Sequence, residues 1–156
     1  MSANDTQRTH DVRQGRAPAL PVAATPPFDA AAACSCEQHT EAGPAGDILV
    51  LRVYGEIDML TLPAVQSALT AATDRRPSDL VVDLAAVTFC CVRGFALLAE
   101  AARTAHASGI GYTVSGLSAH LDRVATLLWP ERRCVSYRSV AAAVTAIRID
   151  QTYRRI

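Results

Sequence analysis

The chain has no lysine: its fifteen basic residues are all arginine, and fifteen acids balance them to a formal net charge of zero. The missing lysine reads as a compositional bias. The missing net charge excludes more, because without a basic stripe nothing holds a nucleic-acid backbone, and direct nucleic-acid binding is not expected. Aromatic residues are few, 5% of 156, whereas half of the chain is hydrophobic. That is enough for a single core, and the core must be aliphatic, with closely packed alanine-rich helices. No apolar run approaches the roughly 20 residues of a membrane-spanning helix, so no membrane association is expected. Five cysteines, odd in number and irregularly spaced, are not a disulfide framework and fit a reducing cytoplasm. There is no G-x-S-x-G elbow, no Walker-type phosphate loop and no G-x-G-x-x-G after a strand. His10, His39, His106 and His120 are scattered and read as structural or solvated. With no nucleophile–base pair and no metal set in view, neither an enzyme nor a cofactor is expected.

Residues 1–29 are polar and then proline-rich, without periodicity, and read as a disordered or weakly ordered tail. The run ending at Cys34, "AAAAC", loosely resembles a lipoprotein cleavage site. The preceding "APALPVAATPPFD" holds four prolines and Asp29, a poor apolar region for such a signal. Residues 30–149 form one domain, and 150–156 a short polar tail.

Within the domain, "AAACSCEQ" reads as a weak first strand, joined by the turn "EAGPAGD" to a strong one, "ILVLRVYG", closed by Gly55. Thr61 is a candidate N-cap and Pro63 suits a first helical turn. Val65, Ala68, Leu69 and Ala72 then share one helical face. A strand follows near 79–84, extending toward Phe89. A second helix runs from about Gly94 to Ser108, apolar almost all round, and Gly109 stops it. "IGYTVSG" is another strand. Ser118 caps a third helix with Leu121, Val124, Ala125 and Leu128 on one face, ended by Pro130. "CVSYR" is a short last strand. Val140, Ala143, Val144 and Ile147 mark a final helix. The order β-β-α-β-α-β-α-β-α predicts an α/β fold: a mixed, mostly parallel sheet of four to five strands flanked by about four helices. An open sheet edge would permit a homodimer.

Four groups carry candidate chemistry. Cys34, Cys36 and His39 resemble part of a metal site, but no fourth ligand is evident, and strand alternation lets both thiols pack as small hydrophobes. Glu56 and Asp58 offer acid–base chemistry or, more plainly, loop charges favouring a helix start. Cys90 and Cys91 stand at a helix N-terminus, where the partial positive charge lowers a thiol pKa, so they are candidate redox thiols; Cys90 serves equally as core. Arg93 opposes the helix dipole at a cost of roughly 0.3–1 kcal/mol. Asp58 is the carboxylate that offsets it if the two loops meet.

The stretch from "LRVYGEID" to "GLSAHLDRVATL" resembles a STAS domain (sulphate transporter and anti-sigma factor antagonist), and most of all the stand-alone bacterial anti-sigma factor antagonists. "GEID" before a helix is similar to the family's G-E-[LI]-D, "LVVDLAAVTF" to its central strand, and "GIGYTVSGLSAHLDRVATL" to its fourth strand, turn and third helix. The resemblance covers about residues 31–148. It implies a cytoplasmic regulator of transcription that binds an anti-sigma factor, often one with a kinase-like ATP-binding fold that phosphorylates the antagonist and so ends the complex. The family's phosphorylation loop reads D-S-[ST]-G-[LF]; here the aligned residues are Cys91, Val92, Arg93, Gly94 and Phe95. Glycine and the apolar residue match, but the acid and both hydroxyls are gone. The resemblance thus implies a docking face around Glu56, Asp58, Cys91, Val92, Arg93, Gly94 and Phe95 without the usual phosphoacceptor. The alternative is a sensor module of the same fold, governed by a small ligand or by thiol oxidation.

Overall fold

The computed structural model describes residues 34–129 and 135–156. The predicted tail 1–29, the helix end expected at Pro130 and Cys134 of the expected last strand lie outside them. Among the described residues five strands and four helices follow the predicted order: β1 Cys34–Glu41, β2 Ile48–Ile57, α1 Leu62–Asp74, β3 Asp79–Cys90, α2 Val92–Ala107, β4 Gly111–Ser115, α3 Ala119–Leu128, β5 Val135–Tyr137 and α4 Val140–Arg154. The strands lie side by side in chain order. β1 runs antiparallel to β2, and every other pair is parallel. This is the mixed, mostly parallel sheet expected.

Period-two alternation sorts the core into two layers. Leu49, Leu51, Val53, Leu80, Val82 and Leu84 face the helices α1, α2 and α3, which bury Val65, Leu69, Phe95, Leu98, Leu121 and Ala125 against them. Ile48, Val50 and Val81 face the opposite way and are covered by Ala143, Val144 and Ile147 of α4. Farther along the same face the side chains turn polar and Asp83 and Ser115 stay buried: the Arg52 Nε donates to Asp83 Oδ2 at 2.9 Å, and Ser115 Oγ to Asp83 Oδ1 at 3.2 Å.

Three boundaries depart from the sequence reading. Strand β2 does not stop at Gly55. It passes through that residue at φ +90°, where a bulge shifts the register with β3, and ends at Ile57, which is fully buried. Glycine tolerates this φ without steric cost, so it bends the strand rather than closing it. Helix α2 starts at Val92, two residues before Gly94, and its outer face, including Glu100, Arg103 and His106, is exposed rather than buried all round. Helix α4 runs on to Arg154, through most of the segment read as a polar tail. Its anchor there is Gln151, 1% exposed, whose Nε2 donates to Asp79 Oδ2 at 2.7 Å while its Oε1 accepts from the Ala45 N–H at 3.0 Å. Asp79 is itself buried, and a buried carboxylate needs donors.

Candidate functional site

The C-terminal ends of β2 and β3 feed two adjacent corners, the loop into α1 and the start of α2. A backbone bond joins them: the Cys91 N–H donates to the Ile57 carbonyl at 2.8 Å. Gly94 lets the helix come this close. A Cβ there would lie 2.7 Å from Cys90 Sγ and 2.8 Å from Ile57 Cγ2. The two predicted loops therefore do meet at one end of the sheet.

Their charges do not pair. Asp58 turns its carboxylate onto its own loop, where Oδ1 accepts from the Leu60 N–H at 2.9 Å and the Thr61 N–H at 3.0 Å. The Thr61 N–H first, and then that of Leu60, holds the Asp58 carboxyl below its ordinary range. Thr61 is not a side-chain cap of α1. Its hydroxyl, 1% exposed, donates to the Glu56 carbonyl at 2.8 Å and accepts from the Asp58 N–H at 2.9 Å. Asp58 thus serves the turn, and the expected Asp58–Arg93 pair is not formed. Among the described residues Arg93 has no hydrogen bond or ion pair. Its guanidinium lies out in solvent at the positive end of α2.

Cys91 takes the N-cap position of α2, with its Sγ accepting from the Gly94 N–H at 3.4 Å. A thiol here does the capping that an oxygen side chain usually does. Cys90 points into the core, and burial pushes its thiol up to about 12. Burial also raises Cys34, and raises Cys36 to about 11. Both pack against the main core, as the strand alternation implied. Among the described residues no group of three or more His, Cys, Asp and Glu is arranged to hold a metal.

Of the predicted docking residues, Val92, Arg93 and Glu56 are exposed, Asp58 and Cys91 are half-buried, and Gly94 and Phe95 are buried. Phe95 anchors the helix from inside. The sequence reading missed three further surface groups. Met59 and Leu60 are 56% and 61% exposed and Phe89 49%, alongside Val92 at 66%. Large apolar side chains on strand-to-helix corners were the available signal. Met59 and Arg93 share a groove of about 400 Å³ between the first turns of α1 and α2, floored by Leu62, Ala96 and Leu97. Chemically the end sets exposed apolar side chains beside a cation that is unpaired among the described residues, an arrangement suited to docking. Among the described residues no helix is long and apolar enough to cross a membrane.

The family model described as "Mlab, STAS domain" matches residues 43–128. An anti-sigma factor antagonist from Mycobacterium paratuberculosis is 30% identical, with 73% of this chain and 95% of that one aligned at a TM-score of 0.62. RsbS of Moorella thermoacetica, at 14% identity, aligns over 75% of this chain and 97% of its own with a TM-score of 0.57. The phosphorylated form of the Bacillus cell fate determinant SpoIIAA, also at 14%, aligns over 72% and 100% with a TM-score of 0.54. The last two share the fold. No curated protein matches the chain in sequence.

Proposed function

The chain belongs to the STAS domain family, and from that premise we propose that it is a non-catalytic anti-sigma factor antagonist of the cytoplasm, docking through the corner end of its sheet. The observation that carries this reading is the set of exposed apolar residues Met59, Leu60, Phe89 and Val92 on the same two corners as Arg93, where the Cys91–Ile57 backbone bond joins the loops. Exposed apolar side chains clustered on one rigid end mark a protein-binding surface. Similarity to the mycobacterial antagonist supports an anti-sigma factor as the partner class, and we take it to have a kinase-like ATP-binding fold.

The usual switch has no substrate in this loop. Val92 and Arg93 stand where hydroxyls are expected, and neither accepts a phosphate. The complex is therefore insensitive to ATP through this loop. Phosphorylation would add about −1.5 to −2 charges, whereas Arg93 keeps the surface cationic and complements an acidic partner.

The test is calorimetric titration of the full chain against the anti-sigma factors of its own cell, with and without ATP, and with Arg93→Glu. One of them should bind, ATP should leave the affinity unchanged, mass spectrometry should find no phosphate on residues 91–95, and charge reversal should weaken binding by tenfold or more. Binding by none of them, or an affinity unmoved by Arg93→Glu, would overturn the reading.

A further inference from the structure

A second cavity lies away from the docking end, over the C-terminal half of α2, and nothing in the proposed function uses it. Its volume is about 410 Å³, within the roughly 300–1,000 Å³ range of small-molecule sites. One wall is α2, where Ala99, Ala102, Arg103 and His106 fall at i, i+3, i+4 and i+7 and so share a face. Tyr112 of β4 forms the floor, and Trp129, the residue that ends α3, stands opposite.

Three features of the lining converge. Alanine at 99 and 102 leaves space between α2 and Trp129 that longer side chains would fill. Two aromatic rings, Tyr112 and Trp129, offer stacking surfaces to a planar guest. Among the described lining residues those that can carry charge are Arg103 and His106, and neither is an acid. Arg103 gives its Nε (3.0 Å) and Nη2 to Glu100 on the outer face of the helix. Its Nη1 makes no hydrogen bond among the described residues. The Arg103–Glu100 pair is more than 60% exposed on both sides, so it is weak and does not withdraw the guanidinium from a competing anion.

From this geometry we infer that the cavity between α2, β4 and Trp129 is a binding site for a small planar aromatic anion, an aryl carboxylate or sulfonate. The ring lies on the alanine face between Tyr112 and Trp129, and the acid group meets Arg103 Nη1 and the His106 imidazole. This site is independent of the docking reading, since it lies at the opposite end of α2 from Arg93.

The protein carries its own reporter, because Trp129 is the only tryptophan in the chain. The full chain is titrated with naphthoate and with its neutral analogue naphthalenemethanol, following Trp129 fluorescence and the amide shifts of labelled protein. Naphthoate should saturate below about 1 mM, move the amides of Ala99, Arg103, His106 and Trp129, and bind about tenfold more tightly than the neutral analogue. Arg103→Gln should remove that preference, and Ala99→Phe should fill the slot and abolish binding, with unchanged melting curves confirming that both variants are folded. No saturation by about 5 mM, or shifts centred on Met59 and Leu97 instead, would overturn the site. Equal affinity for the acid and the alcohol would overturn the assignment to an anion.

Discussion

Replacing Gly94 by alanine tests how tightly the corner end is built. The added methyl would sit 2.7 Å from Cys90 Sγ and 2.8 Å from Ile57 Cγ2, well inside the roughly 3.5–4.0 Å at which non-bonded atoms attract. Ile57 is a β-branched side chain with little rotamer freedom, and it is fully buried. Relief must come from moving the first turn of α2 off the sheet, which strains the Cys91–Ile57 backbone bond. Overpacking of this kind costs about 1–3 kcal/mol. Alanine returns about 0.5–1 kcal/mol through its lower entropy loss in a helix. The net is a loss of about 1 kcal/mol, or a melting point lower by about 3–5 °C for a domain of this size. Cys90→Ala removes one of the two obstructing atoms. In that background the Ile57 Cγ2 contact remains, so Gly94→Ala should still destabilise but by less, giving a coupling energy of about 0.5 kcal/mol. Urea denaturation of the four proteins, followed by circular dichroism, measures both numbers. A stabilising single Gly94→Ala change, or a coupling of zero, would refute the packing argument.

Three further outcomes follow from the hydrogen bonds and burial. Iodoacetamide at pH 8 should label Cys91 before the other described thiols. Cys90, raised to about 12, and Cys36, raised to about 11, stay protonated until the protein unfolds; rapid labelling of native Cys90 by mass spectrometry would contradict this. The folded-state pKa of Asp58 lies below its ordinary 3.8. Its stabilisation is therefore complete above the unfolded value and is lost as pH falls through the folded one. Thermal melts should show Asp58→Ala destabilised at pH 6 and converging on wild type in acid, once the folded-state carboxyl is protonated; a gap that persists in acid would reject the carboxylate's role. Gln151→Leu leaves the Ala45 N–H without its side-chain acceptor and Asp79 with the Ser78 hydroxyl as its remaining side-chain donor, at a cost of about 1–3 kcal/mol, and hydrogen exchange should show the end of α4 opening first.

Much of the fold was legible because apolar spacing dictates it. Val65, Leu69 and Ala72, or Ala143, Val144 and Ile147, fall on one helical face and are the residues found buried. Boundaries set by tertiary contacts were not legible. Gly55 reads as a stop because glycine usually punctuates strands, yet β2 continues so that Ile57 can reach the core and bond Cys91. Gln151 reads as tail because its partners, Asp79, Ser78 and the Ala45 N–H, all lie far away in the sequence, the nearest 72 positions off. At the site, the meeting of the two corners was predicted, but the pairing of Asp58 with Arg93 was not realised. Nearby backbone N–H groups hold the carboxylate, and a local turn outcompetes a distant side chain at little entropic cost. Met59 and Leu60 were passed over because an apolar residue in a loop has no periodicity to mark it.

The chain-order arrangement of the strands bears on how the protein emerges from the ribosome. Each strand pairs with the one synthesised just before it, so the sheet can grow by addition, without waiting for a distant segment, and its topology is local for a parallel fold. The face formed by Ile48, Val50 and Val81 is different. Its cover is α4, made after all five described strands. During synthesis that face of the sheet stays wet and adhesive until α4 has emerged, and a nascent chain stalled before Val140 would present it to chaperones.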